Sequence, residues 1–223
     1  MLSLALALSL QGPPAAPQEL LGIPYVADAV LDEQGRWTTF SDPGRALPGP
    51  GLNCSGFLVA AARRLLGFTG PPAEAGRDRL GDSGPRAVRG QDWDYGWDLV
   101  LNLSEGRPRR WLFPEGPLEA PGGSAEALRG FSFHDSKAWS KVAAQIQPGR
   151  VCLADFTRRR GRQWVHHHVA LLLKEPGGRL VLYQTLPEGQ VHRLVLSSEA
   201  GLARLRRMFG PGERLLLLEV EPS

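Results

Sequence analysis

A cysteine, a run of three histidines and a glutamine are the residues of this sequence best suited to chemistry. Cys54 lies in the stretch Asn53–Phe57, the histidines occupy positions 166–168, and Gln184 follows further along the chain. A cysteine nucleophile needs a base within hydrogen-bond reach, and that base needs an orienting partner. Cys54 as nucleophile, His168 as base and Gln184 as orienting group would supply the parts of a thiol hydrolase.

Cys54 is predicted to lie in the first turn of a helix. Apolar residues after it recur at three- and four-residue spacing, Asn53 is a favourable N-cap, and Gly67 is a favourable C-terminal stop. The partial positive charge of a helix N-terminus favours the thiolate and lowers the pKa of a cysteine. Two alternatives stay open: Cys54 as a small buried hydrophobic residue, or a disulfide between Cys54 and Cys152.

The histidines open a predicted strand, and Gln184 ends the strand that returns after it. Side chains alternate along a strand, so His166 and His168 are expected on one face while His167 points away. His168 and Gln184 have matching parity about the intervening turn, which predicts that they stand side by side. We expect Cys54, His168 and Gln184 to converge in one cleft, with the cysteine helix packed on that face of the sheet.

These motifs resemble those of the NlpC/P60 cysteine peptidases, which are papain-like. The resemblance implies hydrolysis of peptide-type amide bonds, most often in bacterial peptidoglycan peptides, without cofactor or metal. It also implies that Tyr25 helps to stabilise the oxyanion, that His168 is the base and that Gln184 is the third polar residue of the site. The matching segments are Asn53–Phe57 for the Asp-Cys-Ser-Gly-Phe signature, His168–Ala170 for the His-Val-Gly strand, Ile146–Gly149 for the Pro-Gly turn before an apolar strand, and Gly22–Val26 for the Pro-Tyr-Val segment.

The order of the predicted elements is helices first and then an antiparallel sheet, which indicates an α+β fold. The resemblance makes that fold papain-like, with N-terminal helices packed on the sheet. Residues 20–223 are predicted to form a single catalytic domain. Residues 69–133 are rich in Gly, Pro, Arg and Asp and lack a clear period, so we expect a long irregular insertion between the cysteine helix and the sheet. Predicted strands cover 151–156, 164–173, 180–185, 191–196 and 214–220, after a hairpin at 29–40.

The N-terminal residues are predicted to be a secretion signal and linker over residues 1–19. Leu2–Leu10 is an apolar run too short to span a membrane comfortably, and small residues follow it. A buried N-terminal helix is the alternative. The protein is therefore expected to be exported, to the periplasm or the extracellular space, without a membrane span after removal of the signal.

Charge and composition narrow the range of partners. The formal net charge is +3, and no long basic run has interleaved aromatic residues, so nucleic-acid binding is not indicated. The expected partner is a peptidoglycan peptide or another peptide-type substrate, and the chain is expected to be a monomer.

Three rival functions remain. Two histidines on one strand face suit a zinc site, and paired carboxylates suit a glycosidase. A non-catalytic binding or accessory module on the same scaffold is the third, with the inserted segment as its binding surface. Trp93, Trp97, Asp94 and Asp98 could line a groove for sugar or peptide, but packing of the tryptophans on the core is the favoured interpretation. The residues concerned are His166 and His168 with Asp155, His134 or His192 for zinc, and Asp92 and Asp98 for the glycosidase.

Overall fold

The structure is a computed structural model that describes residues 17–79, 94–122, 129–161 and 163–222, and only the backbone of Gln163, His166 and His167. A 3-10 helix at Pro17–Leu20 opens the described part. The α-helices are α1 (Cys54–Leu65), α2 (Pro72–Ala75), α3 (Tyr95–Leu103), α4 (Ser136–Gln145) and α5 (Glu199–Met208). The strands are β1 (Ala29–Leu31), β2 (Trp37–Thr39), β3 (Arg109–Phe113), β4 (Gly116–Glu119), β5 (Val151–Arg160), β6 (Gln163–Lys174), β7 (Leu180–Gln184), β8 (His192–Val195) and β9 (Arg214–Val220).

One seven-stranded sheet organises the molecule. Its strand order is β4-β3-β9-β5-β6-β7-β8, and β1 and β2 form a separate two-stranded hairpin. Every neighbouring pair in the large sheet is antiparallel. Helices and an antiparallel sheet in one chain confirm the predicted α+β class.

Helices cover both faces of the large sheet. On one face α1 and α3 pack against β5 and β6, together with Val169 and Leu171 of β6. On the other face α4 and α5 share a core with Ala170 and Leu172 of the same strand. We call these two sides the α1–α3 layer and the α4–α5 layer. Because both faces are covered, the central strands are nearly continuous apolar runs.

The predicted hairpin at residues 29–40 is present, with β1 paired to β2. The Asp32 carboxylate closes its turn by accepting hydrogen bonds from the backbone N–H groups of Gln34 at 3.0 Å and Arg36 at 2.7 Å. Gly35 has a φ of 78°, the left-handed conformation that glycine adopts without steric cost. The hairpin is thereby fixed beside the beginning of α1, which it contacts.

The prediction of a long irregular insertion at residues 69–133 is wrong in its described parts. The segment contains α3, which packs on β5 and β6, and β3, which pairs with β9 inside the large sheet. It also contributes β4, the edge strand. The segment therefore builds the sheet and the α1–α3 layer.

The N-terminal boundary also differs from the prediction. Residues 17–19 were expected to be linker, but they belong to the 3-10 helix, whose Pro17 and Leu20 are buried. Burial of Leu20 in the α1–α3 layer holds this turn against the domain. The predicted secretion signal at Leu2–Leu10 lies outside the described residues. No helix in the described part of the chain combines the length and apolarity needed to cross a bilayer.

Candidate active site

Cys54 is the first residue of α1 and is half-buried. The predicted N-cap is confirmed, because the Asn53 side-chain oxygen accepts a hydrogen bond from the Gly56 N–H at 2.7 Å. The Asn53 N–H in turn donates to the Ala29 carbonyl of β1 at 3.2 Å. A Cβ at Gly56 would lie 2.0 Å from that same carbonyl oxygen, so only glycine lets β1 approach so closely. The cysteine is therefore held on a rigid helix start, whose dipole favours a thiolate.

Tyr25 lies close to Cys54, as the resemblance implied. It forms an isolated parallel bridge with Leu52, two residues before the cysteine. Burial, and then the negative charge of a Cys54 thiolate, raise the pKa of Tyr25. The phenol thus stays protonated and can donate a hydrogen bond beside the sulfur. The structure brings these two predicted site residues together.

Cys54 and the histidine run lie at the same end of the sheet. The Tyr25 N–H donates to the Gly189 carbonyl at 2.8 Å, in the loop that follows β7. The antiparallel register pairs Leu171 of β6 with Tyr183 of β7, so positions 166–168 of β6 run alongside the residues just after β7. The start of α1 and the start of β6 therefore approach the same edge of the molecule.

His168 and Gln184 form the predicted pair, but on the face away from Cys54. The His168 Nε2–H donates to the Gln184 Oε1 at 2.8 Å. The ring centroid of His168 lies 5.7 Å from that of Phe156 and 5.4 Å from that of Phe209, both in the α4–α5 layer. Cys54 packs against the α1–α3 layer. The prediction that Cys54, His168 and Gln184 meet in one cleft is therefore wrong.

That prediction is wrong because it rested on the alternation of side chains along a strand. Alternation correctly placed His168 and Gln184 on a common face, but it did not determine which face α1 covers. The structure assigns Val169 and Leu171 to the face of α1, so His168 belongs to the opposite one. The pairing with β5 also skips position 167, with a register shift opposite Phe156 and Thr157. Such a β-bulge is common beside active sites.

The two cysteines form no disulfide. Cys152 is fully buried in the α4–α5 layer, whereas Cys54 packs against the other face of the sheet. Burial is the main cause that raises the pKa of Cys152 well above its ordinary value, and the nearby Glu219 carboxylate adds to it. Cys152 is thus a neutral core residue, which leaves Cys54 as the thiol suited to chemistry.

The described residues do not assemble the zinc site considered from the sequence. His168 Nε2 donates to Gln184, and His134 Nε2 lies 3.0 Å from the Phe209 carbonyl oxygen. Asp155 faces the α1–α3 layer, opposite to His168. Among the described side chains, the acidic group formed by Asp78, Asp94 and Asp98 brings its ligand atoms within 4.8 Å of one another, and it contains no histidine. The side chain of His166 is outside the described part.

The described tryptophan and aspartate at the start of α3 belong to the core. Trp97 is buried in the α1–α3 layer, and Asp98 is 2% exposed. The Asp98 carboxylate accepts a hydrogen bond from the Arg79 N–H at 3.2 Å. Trp93 and Asp92, proposed for a groove and for a glycosidase pair, lie outside the described residues. The part of the cluster that is described supports packing instead of a sugar-binding surface.

Asp155 is a residue that the sequence interpretation considered only as a zinc ligand. It lies on β5 and is 1% exposed. A signal for it was present: a single acid interrupts the apolar run Val151–Phe156, at the same parity as Val151 and Leu153. These two residues face the α1–α3 layer, so Asp155 points to the side of the sheet that carries Cys54.

Comparisons of the chain with protein-family models, with curated proteins and with solved structures each gave no match. The described fold is α+β, with an antiparallel sheet covered on both faces. The candidate site consists of a half-buried cysteine at a helix N-terminus, next to a tyrosine and near a strand that carries histidines.

Proposed function

We propose that this protein is a cysteine hydrolase that cleaves amide bonds with Cys54 as its nucleophile. The observation that carries the proposal is the position of Cys54: half-buried, at the capped N-terminus of α1, beside the Tyr25 phenol. A helix N-terminus stabilises the thiolate that must attack. Tyr25 and the Cys54 N–H are donors of the kind that stabilise an oxyanion.

We propose His167, not His168, as the general base. β5 pairs with His168 through Phe156 and with His166 through Thr157, and its register skips position 167. Such a β-bulge re-aims a side chain and is common next to active sites. His168 is committed to Gln184 in the opposite layer, which makes it a structural residue in this proposal.

The proposed reaction is acyl transfer to the thiol followed by hydrolysis. The base takes the proton from Cys54, and the thiolate attacks the carbonyl carbon of the amide. The Cys54 N–H and the Tyr25 hydroxyl hold the resulting oxyanion. The imidazolium protonates the leaving amine as the C–N bond breaks, and water then hydrolyses the thioester with the imidazole as base. The products are a carboxylic acid and an amine, and the thiol is regenerated.

The substrate class in this proposal comes from the resemblance to NlpC/P60 peptidases. It is a peptide-type amide, most specifically a bacterial peptidoglycan peptide. In the same proposal, residues 20–223 are the catalytic domain of an exported monomer with a papain-like arrangement of α1 on the sheet. A non-catalytic accessory module on this scaffold is the alternative that the experiment must reject.

The test is a set of single variants assayed in two ways. Iodoacetamide alkylation followed by peptide mapping measures the reactivity of Cys54, and mass spectrometry measures peptides released from purified peptidoglycan. Cys54→Ala should abolish release, while Cys152→Ser should retain both the alkylation of Cys54 and the release. His167→Ala should lower both rates far more than His166→Ala or His168→Ala in variants that remain folded.

The outcomes separate the competing interpretations. One outcome would favour the accessory module over the hydrolase. In that outcome Cys54 is alkylated at the rate of an ordinary thiol, and the protein binds peptidoglycan without releasing peptides. Loss of both rates in His168→Ala alone would reject His167 as the base. Loss of activity on chelation, restored by zinc, would transfer the chemistry from Cys54 to a metal.

A further inference from the structure

The hairpin between β5 and β6 carries a run of positive charge. Three consecutive arginines, Arg158, Arg159 and Arg160, end β5, and the antiparallel pairing with β6 continues to Arg160 and Gln163. The side chains of Arg159 and Arg160 are exposed. Neighbouring like charges repel one another. A compensating negative charge is therefore expected, either from elsewhere in the protein or from a ligand.

The alternation of side chains along β5 directs these arginines to opposite faces of the sheet. Arg158 lies on the face of the α4–α5 layer, within electrostatic reach of the Glu213 carboxylate. Arg159 lies on the other face, at the same parity as Leu153 of the α1–α3 layer, and its Nε–H donates to the Gly161 carbonyl at 3.0 Å. In the part of the chain that the structure describes, no carboxylate forms an ion pair with Arg159.

Two further side chains join Arg159 on this face. Trp164 of β6 lies opposite Arg159 in the strand register, and Arg214 of β9 lies opposite Thr157, two residues earlier on β5. The Arg214 guanidinium lies over the Trp164 ring, with its central carbon 4.7 Å from the ring centroid. A guanidinium stacked on an aromatic ring is held in one orientation, with its N–H donors at the edge of its plane. We call Arg159, Trp164 and Arg214 the arginine–tryptophan surface.

This surface lies on the side of the sheet that carries Cys54. Arg214 has the same parity as Leu216, which belongs to the α1–α3 layer, and Cys54 packs against that layer. The surface also lies at the end of the sheet where β5 ends and where β6 and β9 begin. The start of α1 approaches the same end through the hydrogen bond between Tyr25 and Gly189. The arginine–tryptophan surface therefore shares its side and its end of the sheet with Cys54.

We infer that the arginine–tryptophan surface binds the carboxylate groups of an acidic segment in the peptide substrate. This inference rests on the proposed function, which supplies the peptide class of the substrate. A guanidinium suits a carboxylate because its planar N–H donors match the two carboxylate oxygens. Arg159 and Arg214 supply the charge, and Trp164 holds Arg214 in place. The surface thus selects acidic peptides over neutral ones.

The experiment measures the binding of a fluorescein-labelled oligoglutamate peptide to the full chain of the Cys54→Ala variant, by fluorescence anisotropy. This variant keeps the surface but lacks the thiol, so binding is measured without turnover. An oligoglutamine peptide of the same length should bind about tenfold more weakly, since it cannot form the two exposed ion pairs. High salt should weaken the binding of the glutamate peptide, because it screens exposed charges.

Single substitutions assign the binding to individual residues. Arg159→Gln and Arg214→Gln should each weaken binding about two- to fivefold, as expected for the loss of one exposed ion pair. Arg214→Lys keeps the charge but loses the planar donors, so it should restore only part of the affinity. Arg204→Gln is the matched control and should leave the affinity unchanged, because Arg204 is an exposed arginine of α5 in the opposite layer. Arg159 is itself exposed, so its substitution tests the surface even where Arg214→Gln does not fold.

A kinetic measurement tests whether the surface serves the substrate of Cys54. In the release of peptides from peptidoglycan, Arg159→Gln should raise KM about two- to fivefold and leave kcat unchanged, which is the signature of lost substrate binding. Arg204→Gln should leave both constants unchanged. A KM for Arg159→Gln equal to that of wild type would overturn the role of the surface in substrate binding.

The outcomes separate this inference from the proposed function. Equal binding of the two peptides, or an equal loss of affinity in Arg159→Gln and Arg204→Gln, would overturn the inference while the cysteine mechanism stands. Tighter binding of polyphosphate or of a single-stranded oligonucleotide than of the glutamate peptide would also overturn it, because the surface would then recognise phosphates. If no peptide release depends on Cys54, the proposed function fails, and with it the assignment of this surface to a substrate.

Discussion

Breaking the pair of His168 and Gln184 should destabilise the fold without slowing the chemistry of Cys54. The His168 ring is 4% exposed, lies in tilted contact with the rings of Phe156 and Phe209, and donates to Gln184 at 2.8 Å. His168→Leu keeps an apolar side chain in this space but leaves the Gln184 oxygen buried without its donor. The same substitution would abolish reactivity if His168 were the base.

The size of the effect follows from these contacts. An acceptor left unsatisfied in the core costs about 1–3 kcal/mol, and the lost ring contacts cost about 0.5–1.5 kcal/mol. The expected decrease in the free energy of unfolding is therefore about 1.5–4.5 kcal/mol. Gln184→Met should also destabilise, and the double variant should cost less than the sum of the two, because both polar groups are then removed together.

Urea denaturation supplies the measurement, with the midpoint compared at constant slope. The alkylation rate of Cys54 is measured on the same folded proteins. His192→Leu is the control. His192 is half-exposed, and its Nε2 lies 3.4 Å from the Gln184 Nε2, which is a longer contact than that of His168. This substitution should therefore lower the free energy of unfolding less than His168→Leu. A stable His168→Leu protein with an unreactive Cys54 would refute the assignment of His168 to a structural role.

Three further predictions concern the support of α1 and the charge near His168. Gly56→Ala should cost about 1–3 kcal/mol in urea denaturation despite better helix propensity, because the new Cβ would lie 2.0 Å from the Ala29 oxygen; Gly210→Ala, with nothing within 4 Å, should be nearly neutral. Asn53→Ala should lose about 1 kcal/mol through the missing cap, whereas Asn53→Asp should retain thermal stability. Burial raises the pKa of Glu213 above 4.5, so the unfolded chain loses this proton first and stability falls as pH rises from 4.5 through the raised pKa. Glu213→Gln should flatten that fall in urea titrations across this range, and an unchanged slope would contradict the burial effect.

Local signals predicted most of the secondary structure correctly. The spacing of apolar residues, the Asn53 cap and Gly67 located α1, and Gly67 has the positive φ of a helix stop. The segment at residues 69–133 differs from the prediction for a physical reason. All nine residues of α3 are buried, so its polar positions do not mark a side of the helix that faces solvent. Its buried Asp98 and Asn102 further disguise it as a polar loop.

Only part of the site was predicted, because the alternation of side chains shows which residues share a face of the sheet but not which helix covers that face. It paired His168 with Gln184 correctly, yet the face that each histidine adopts depends on where α1 and α3 pack. That packing is tertiary and leaves no trace in the local sequence. Tyr25 was found through the resemblance, since no local pattern links it to Cys54 across the intervening hairpin. Asp155 was detectable as a lone acid in an apolar strand, but its packing against Gly96, which is distant in sequence, was not.

The position of β9 has a consequence for how the chain folds. This strand lies between β3 and β5, and its Glu219 pairs with Arg110 across 109 residues of sequence. Until β9 docks, the sheet consists of two unconnected pieces, β4-β3 and β5-β6-β7-β8, with an open strand edge on each. Closing such long loops is slow, and exposed edges favour association between chains. During synthesis on a ribosome, the central part of the sheet therefore forms only after β9 has emerged, and a truncation before Arg214 should yield an aggregating product, not a smaller stable domain.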